Sequence, residues 1–213
     1  MSLKNAWKNK DVFEKQLQLN LQELREIKEG QFNYPAHWYL FLNIMHQFSP
    51  RSVLDVGCGV GAYYKLCERH LPNTKYTGVD YSADAIEIAK NAWPYGDFAV
   101  KDMWGLTEED VSSYDVIFVG ALLDVMPDAD AALGFLLNLY ANNVFISRIR
   151  LTNEPSHYNT YIAYEEIETC DYYHNNENFK RLIESSGYEV VAAAGDDYGT
   201  GFAAHYYLTK GKP

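Results

Sequence analysis

Residues 53–63, VLDVGCGVGAY, constrain this chain more than any other stretch. Val53, Leu54 and Val56 have the pattern of a short apolar strand, Gly57, Gly59 and Gly61 that of a tight turn, and the apolar residues beyond recur with helical spacing. A strand, a glycine turn and a helix in succession let backbone N–H groups approach a ligand where no side chain blocks the way. Asp55 falls inside the end of the strand, where a carboxylate needs a partner. A carboxylate beside a glycine cradle suits a ligand that carries a positive group. The stretch reads as a nucleotide-type cofactor site.

The rest of the chain is arranged around it. Upstream, apolar residues at three- and four-residue steps predict an amphipathic helix over 5–28 that stops at Gly30. Pro35 opens a second helix over 37–48. Downstream, strands are expected at 52–56, 75–79, 98–100, 116–119 and 144–147. The helices expected between them cover 62–69, 82–93 and 128–140, with a single helical turn at 107–112. This alternation predicts a parallel sheet with helices on both faces. After a helix at 176–186 the rhythm breaks. Two β-rich runs, 188–194 and 203–209, are separated only by the turn-like GDDYGTG, so they must pair as an antiparallel hairpin. The expected fold is α/β: a Rossmann-like, doubly wound, mostly parallel seven-stranded sheet ending in that hairpin. Residues 1–50 read as an N-terminal helical cap, and residues 51–213 as the cofactor-binding domain. Residues 150–175 read as one long irregular insertion with an extra strand at 161–164, a place more often functional than decorative.

Composition narrows the function. With 47% hydrophobic residues the chain can bury a sizeable core, and a formal charge of −11 argues against a surface that follows nucleic-acid backbones. Three scattered cysteines make neither a disulfide framework nor a metal knot. No apolar run approaches membrane-spanning length, and the expected compartment is the cytoplasm. The 18 tyrosines, many of them late in the chain, fit either strand packing or an aromatic acceptor pocket, and packing is the preferred reading.

Several residues outside the glycine turn can carry chemistry. Asp80 ends the second strand, 19 residues beyond Gly61, where a carboxylate can accept both hydroxyls of a ribose. Tyr81 beside it can lie along a purine face. Asp102 and Met103 follow the third strand, where a carboxylate can accept from an adenine amino group beside a soft apolar wall. The segment after the fourth strand, from Gly120 through Ala121 and Leu122 to Asp124, should face the reactive end of the cofactor, because ligands of open α/β sheets bind outside the carboxyl ends of the strands.

These motifs, taken in order, resemble those of the class I S-adenosylmethionine-dependent methyltransferases: VLDVGCGVGAY, then VD at 79–80, KDM at 101–103 and YDVIFVGALLDVMPD at 114–128. The final hairpin is similar to that family's reversed seventh strand. The resemblance implies that Asp55 and the backbone of Gly57 and Gly59, with Cys58 between them, hold the methionine part of S-adenosyl-L-methionine. Asp80 and Tyr81 would hold the ribose and the purine face, Asp102 and Met103 the adenine, and Ala121 and Leu122 would lie near the sulfonium. The product would be S-adenosyl-L-homocysteine. Methyl transfer depends mainly on alignment and exclusion of water, and needs a base only for a protonated acceptor. His37, His157 and His174 are the candidate bases, with Asp124 behind them, and no metal is expected. The expected acceptor is a small molecule. Arg148 and Arg150 can pair with a carboxylate on it, although ordinary strand-end cations are the preferred reading. Two other readings stay open. One is an NAD(P)-dependent oxidoreductase, since Gly57, Gly59 and Ala62 fit the loose dinucleotide pattern. The other is a non-catalytic interaction domain on the same fold.

Overall fold

The computed structural model describes residue 3, residues 6–197 and residues 202–211. Along the chain run α1 (Lys10–Glu23), β1 (Glu26–Lys28), β2 (Gln31–Phe32), α2 (Ala36–Phe48), β3 (Ser52–Val56), α3 (Ala62–His70), β4 (Lys75–Asp80), α4 (Ala83–Ala92) and β5 (Asp97–Val100). There follow α5 (Glu108–Ser112), β6 (Val116–Val119), α6 (Ala129–Leu137), β7 (Asn143–Thr152), β8 (His157–Ala163), β9 (Ile167–Asn175), α7 (Asn176–Ser185), β10 (Tyr188–Asp197) and β11 (Phe202–Lys210).

The main sheet has the order β10-β11-β7-β6-β3-β4-β5. β3 to β7 are mutually parallel, β11 is antiparallel to β7, and β10 is antiparallel to β11. The expected seven-stranded sheet with a reversed final hairpin is therefore present. Its turn, residues 198–201, lies outside the described residues.

Strand alternation sorts the core into two layers. Leu54, Val56, Ile117 and Val119 face α6 and α7, where Leu133, Leu136, Phe179 and Ile183 meet them. Val53, Val116, Phe118 and Phe145 face the opposite way, against Phe41 and Met45 of α2, Leu66 of α3 and Ile86 of α4. Phe41 packs on Phe118 at a tilt and stacks on Phe145, with ring centres 4.8 and 5.9 Å apart. α2 is thus built into the sheet's own core. α1 lies across α4, with Phe13 buried against Val60, Ala85 and Ile88.

Two local expectations are corrected. The first helix ends at Glu23, not near residue 28, and the chain turns through the β1–β2 hairpin, where Gly30 adopts φ +72° in the turn. Polar Glu26, Lys28 and Gln31 extend a helical pattern on paper, but α1 has no apolar layer beneath it there, and all three stand exposed. The second correction concerns residues 150–175. They are not irregular: β8 and β9 form a seven-pair antiparallel hairpin, and β9 runs parallel to the overhanging end of β7 at Arg150–Thr152. Tyr164 lies outside the extra strand, in its turn, with φ +54°.

Candidate functional site

The carboxyl ends of β3, β4, β5, β6 and β7 open into one cavity of about 820 Å³. Its floor is the glycine turn. Gly57 and Cys58 donate their N–H groups to the Val79 carbonyl at 2.8 and 3.0 Å, and Gly61 donates to the Cys58 carbonyl at 3.0 Å. Gly59 donates to Asp80 Oδ2 at 3.0 Å. These four donors are engaged within the protein, so the turn offers a ligand bare backbone surface instead of the N–H cradle expected for a phosphate. The bareness is required. Gly57 and Gly59 hold φ of +80° and +53°, and a Cβ on either would stand 3.1 Å from the side chain of Leu122 or Gln16.

Asp80 is the chemical centre of the floor. Its second oxygen accepts from Ser82 N at 2.9 Å, and Ser82 caps α4. A carboxylate has about four lone-pair positions, so these donors leave it capacity to accept from a ligand hydroxyl. Burial raises the carboxyl above the usual range, and backbone donors from Ser82, Gly59 and Tyr81 work against that shift. Tyr81 lines the cavity beside it with the Lys8 ammonium 5.0 Å from its ring centre. Asp102 accepts from Trp104 N at 3.0 Å as the cap of a 3₁₀ turn, and Met103 is buried at the same wall. Ala121 and Leu122 line the middle of the cavity.

Five of the expected site residues lie outside the cavity lining. Asp55 is only 1% exposed and accepts a hydrogen bond from Tyr76 Oη. It shares strand parity with Val53, so it faces the α2–α4 layer and not the strand ends. Burial there pushes its carboxyl up to about 7. The Cys58 thiol packs beneath the turn, and burial raises it well above its ordinary value. Asp124 is buried on a 3₁₀ turn after β6 and holds Arg148 at 3.0 Å. His37 sits on α2, where burial, reinforced by Arg148 and His205, pushes its imidazole down to about 3. His157 lies on the outer strand of the β8–β9 hairpin, exposed and stacked on Tyr173 at 5.2 Å. His174 is buried against Asp130 at 2.6 Å. None of the candidate bases faces the cavity.

The roof contains residues that local sequence pattern did not single out. From α1 and the turn before it come Trp7, Phe13 and Gln16, and from the β8–β9 hairpin come Tyr161, Ile162, Ala163 and Tyr164. The two pieces clasp one another. Trp7 Nε1 donates to Thr169 Oγ1 at 3.1 Å, the Trp7 and Tyr164 rings meet edge to face, and Lys15 pairs with Glu166. Val12 and Ala6 pack on Ala163 and Ile167 beneath them. Gln16 Oε1 is buried over Gly59 with no hydrogen-bond partner among the described residues. Such an orphaned acceptor costs about 1–3 kcal/mol unless a ligand donor reaches it. The sequence indicated the N-terminal helices and the 150–175 insertion as walls of this region, but not these individual side chains. Tyr161 and Tyr164 do line the cavity, whereas Tyr172 and Tyr207 are core, as the packing reading expected. Arg148 and Arg150 also line the cavity, which corrects their reading as plain strand-end cations.

Among the described residues no cluster of three metal-ligating side chains occurs, and no helix is long and apolar enough to cross a membrane. Comparison with known proteins agrees with the fold. Residues 54–146 match the family described as a methyltransferase domain. The trans-aconitate 2-methyltransferase of Azoarcus sp. (strain BH72) is 32% identical over 108 residues, which is 50% of this chain and 42% of that protein. The demethylmenaquinone methyltransferase of Thermotoga maritima is 33% identical over 78 residues, 37% of this chain and 34% of that one. The chain thus matches these relatives over less than half of their length. Among solved structures, a SAM-dependent methyltransferase from Methanosarcina mazei superposes with a TM-score of 0.64 at 16% identity, covering 80% of this chain and 98% of that one. The magnesium protoporphyrin IX methyltransferase of Synechocystis PCC 6803 with bound SAM gives 0.62 at 14% identity, covering 97% and 90%. Residues 54–146 thus match the methyltransferase-domain family, and the chain as described shares its fold with solved S-adenosylmethionine-dependent methyltransferases.

Proposed function

We propose that this protein transfers a methyl group from S-adenosyl-L-methionine to a small-molecule acceptor. The observation that carries the reading is the pairing of a bare glycine turn with Asp80. The turn's own donors are satisfied internally, and its neighbouring carboxylate keeps capacity to accept from a ligand hydroxyl. That suits a nucleoside without a pyrophosphate. The donor set fits the cofactor: Asp80 for the ribose hydroxyls, Tyr81 and Met103 for the faces of the adenine, Asp102 for its amino group, and Gly57, Gly59 and the orphaned Gln16 oxygen for the amino-acid end. Ala121 and Leu122 would stand at the sulfonium.

When bound, this cofactor supplies a methyl group on a cationic leaving group. The chain's contribution is alignment and dryness. Trp7 and Phe13 cover the floor, the hairpin covers the acceptor end, and the apolar Val125 and Met126 wall the space between. Excluding water protects the methyl donor and strengthens each electrostatic contact inside. On this reading only the start of the expected 1–50 cap, α1 and the turn before it, covers the site on domain 51–213, while α2 belongs with the sheet, and the acceptor is small enough to lie beneath that partial roof. The names of the relatives, which act on trans-aconitate and demethylmenaquinone, support a small acceptor without choosing one.

Calorimetric titration with S-adenosyl-L-methionine, S-adenosyl-L-homocysteine and NAD tests the proposal. Binding of the first two and not the third is expected. Binding of NAD alone would replace the reading with a dehydrogenase, and binding of none would favour an interaction domain.

A further inference from the structure

β7 carries one residue more than its partner needs. Opposite β11, Ile146 pairs with Tyr206 and Ile149 with Ala204, so Ser147 and Arg148 together stand against His205 alone. Arg148 adopts φ +65°, a left-handed conformation that costs a non-glycine residue about 1–2 kcal/mol. An extra residue in a strand reverses which face every later side chain takes. Before the bulge, Val144 and Ile146 face the α6–α7 layer. After it, Ile149 and Leu151 do. Without the bulge, Arg148 and Arg150 would point into that apolar layer. With it they point into the cavity.

Each guanidinium is then fixed by a carboxylate. Asp124, 1% exposed, holds Arg148 Nη2 at 3.0 Å from behind and does not line the cavity, so a ligand at that wall meets the cation. Asp171 of β9 holds Nη2 of Arg150, itself 5% exposed, at 3.0 Å; unlike Asp124 it lines the cavity, so Arg150 meets a ligand with its carboxylate partner alongside. Packing alone explains neither the strain nor the charges, since apolar side chains fill a buried site at least as stably as ion pairs do. Tyr161 from β8 lines the same end of the cavity, and its phenol hydroxyl, neutral at physiological pH, can donate. In a chain of net charge −11, two oriented guanidiniums and a phenol O–H make one pocket suited to a planar anion.

We propose that the acceptor is a small molecule bearing a carboxylate, and that Arg148 and Arg150 hold that carboxylate while the methyl group is transferred. The inference rests on the methyltransferase reading above. It makes the two arginines acceptor-binding residues, with Asp124 positioning Arg148 from behind and Asp171 positioning Arg150 from the cavity wall beside it.

The test uses the full chain with methyl-labelled S-adenosyl-L-methionine. It offers a panel of small aliphatic and aromatic carboxylic acids, each beside its carboxamide and the corresponding primary amine. Transfer to acids in preference to their amides and amines is expected. With the best acid, Arg150→Gln should raise KM about a hundredfold, the size of losing a buried charge-assisted pair, while S-adenosyl-L-homocysteine affinity stays within about twofold. Arg148→Gln leaves Asp124 buried without its cation and is expected to destabilise the fold. The double variant Asp124→Asn with Arg148→Gln removes both charges and should show the same rise in KM. The inference is overturned if no acid is accepted, if amides or amines are methylated as well as acids, or if KM is unchanged in Arg150→Gln and the double variant. Failure of the parent protein to bind S-adenosyl-L-homocysteine would instead overturn the methyltransferase reading, and this inference with it.

Discussion

The floor and the roof of the cavity are built by different rules. The floor is local: residues 55–61 form the turn, its donors return to Val79, Cys58 and Asp80, and nearly every contact links adjacent parallel strands. The roof is assembled across the chain. Trp7 reaches Thr169, Lys15 reaches Glu166, and Arg150 reaches Asp171 through strands that lie outside the main seven. Local rules make a floor that serves any ligand of one chemical type, while long-range pairing makes a roof that can be particular to one acceptor.

The sharpest separation of the two should come from Asp80→Ala. On the proposed reading, removing the carboxylate deletes the ribose acceptors, and hydrogen bonds to a charged group contribute about 1.5–3 kcal/mol each. S-adenosyl-L-homocysteine affinity should fall about a hundredfold to a thousandfold by calorimetry, with cooperative unfolding retained. An unchanged affinity would remove Asp80 from the site.

Asp55→Asn comes next and should affect the floor's stability without touching binding. The folded carboxyl sits near 7 because of burial, above its unfolded value of 3.8. Folded protein therefore holds a proton that unfolded protein has released, so this residue's contribution is complete below about pH 4 and is lost as pH rises through 7. The amide is neutral throughout and can still accept from Tyr76. Urea unfolding at pH 8 should show the variant about 2–4 kcal/mol more stable than the parent, with little difference at pH 4. A tenfold loss of S-adenosyl-L-homocysteine affinity would return Asp55 to the ligand site.

Opening the clasp should cost less. Trp7→Ala removes the Thr169 hydrogen bond and the ring contact with Tyr164, and kcat/KM should fall about tenfold, more than cofactor affinity falls. Equal loss in both would mean that α1 merely supports the cofactor. The smallest effect belongs to Glu166→Gln. Its pairing with Lys15 is partly exposed, so stability should move by no more than about 0.5 kcal/mol in a urea titration. A larger change would mean that the clasp is held by charge instead of by Trp7, Val12 and Ile167.

The same division explains what the sequence made legible. Strand order, the glycine turn and the placing of Asp80, Asp102, Met103, Ala121 and Leu122 around one cavity follow from periodicity and turn chemistry over short spans. Asp55 was misread because nothing local says that its strand parity points it at Tyr76. The same gap left His37 and His157 looking available: one is buried beside His205, and the other is turned out on an edge strand. β8 and β9 were illegible as a hairpin because β8 is exposed along nearly its whole length, so it lacks the alternation that marks a half-buried strand. Trp7 and Gln16 gain meaning only from partners far along the chain.

The bulge at Ser147 and Arg148 has a further consequence for how the molecule can be divided. The methyltransferase-domain match ends at residue 146, and the extra residue follows at once. One seam therefore separates the shared sheet from the wall proposed to hold the acceptor. A crossover placed at 146/147 would exchange the wall of β7, β8 and β9 as a cassette and leave the cofactor floor whole. One made a single residue out of step would bring in the same sequence with its faces exchanged, apolar side chains in the cavity and arginines in the core.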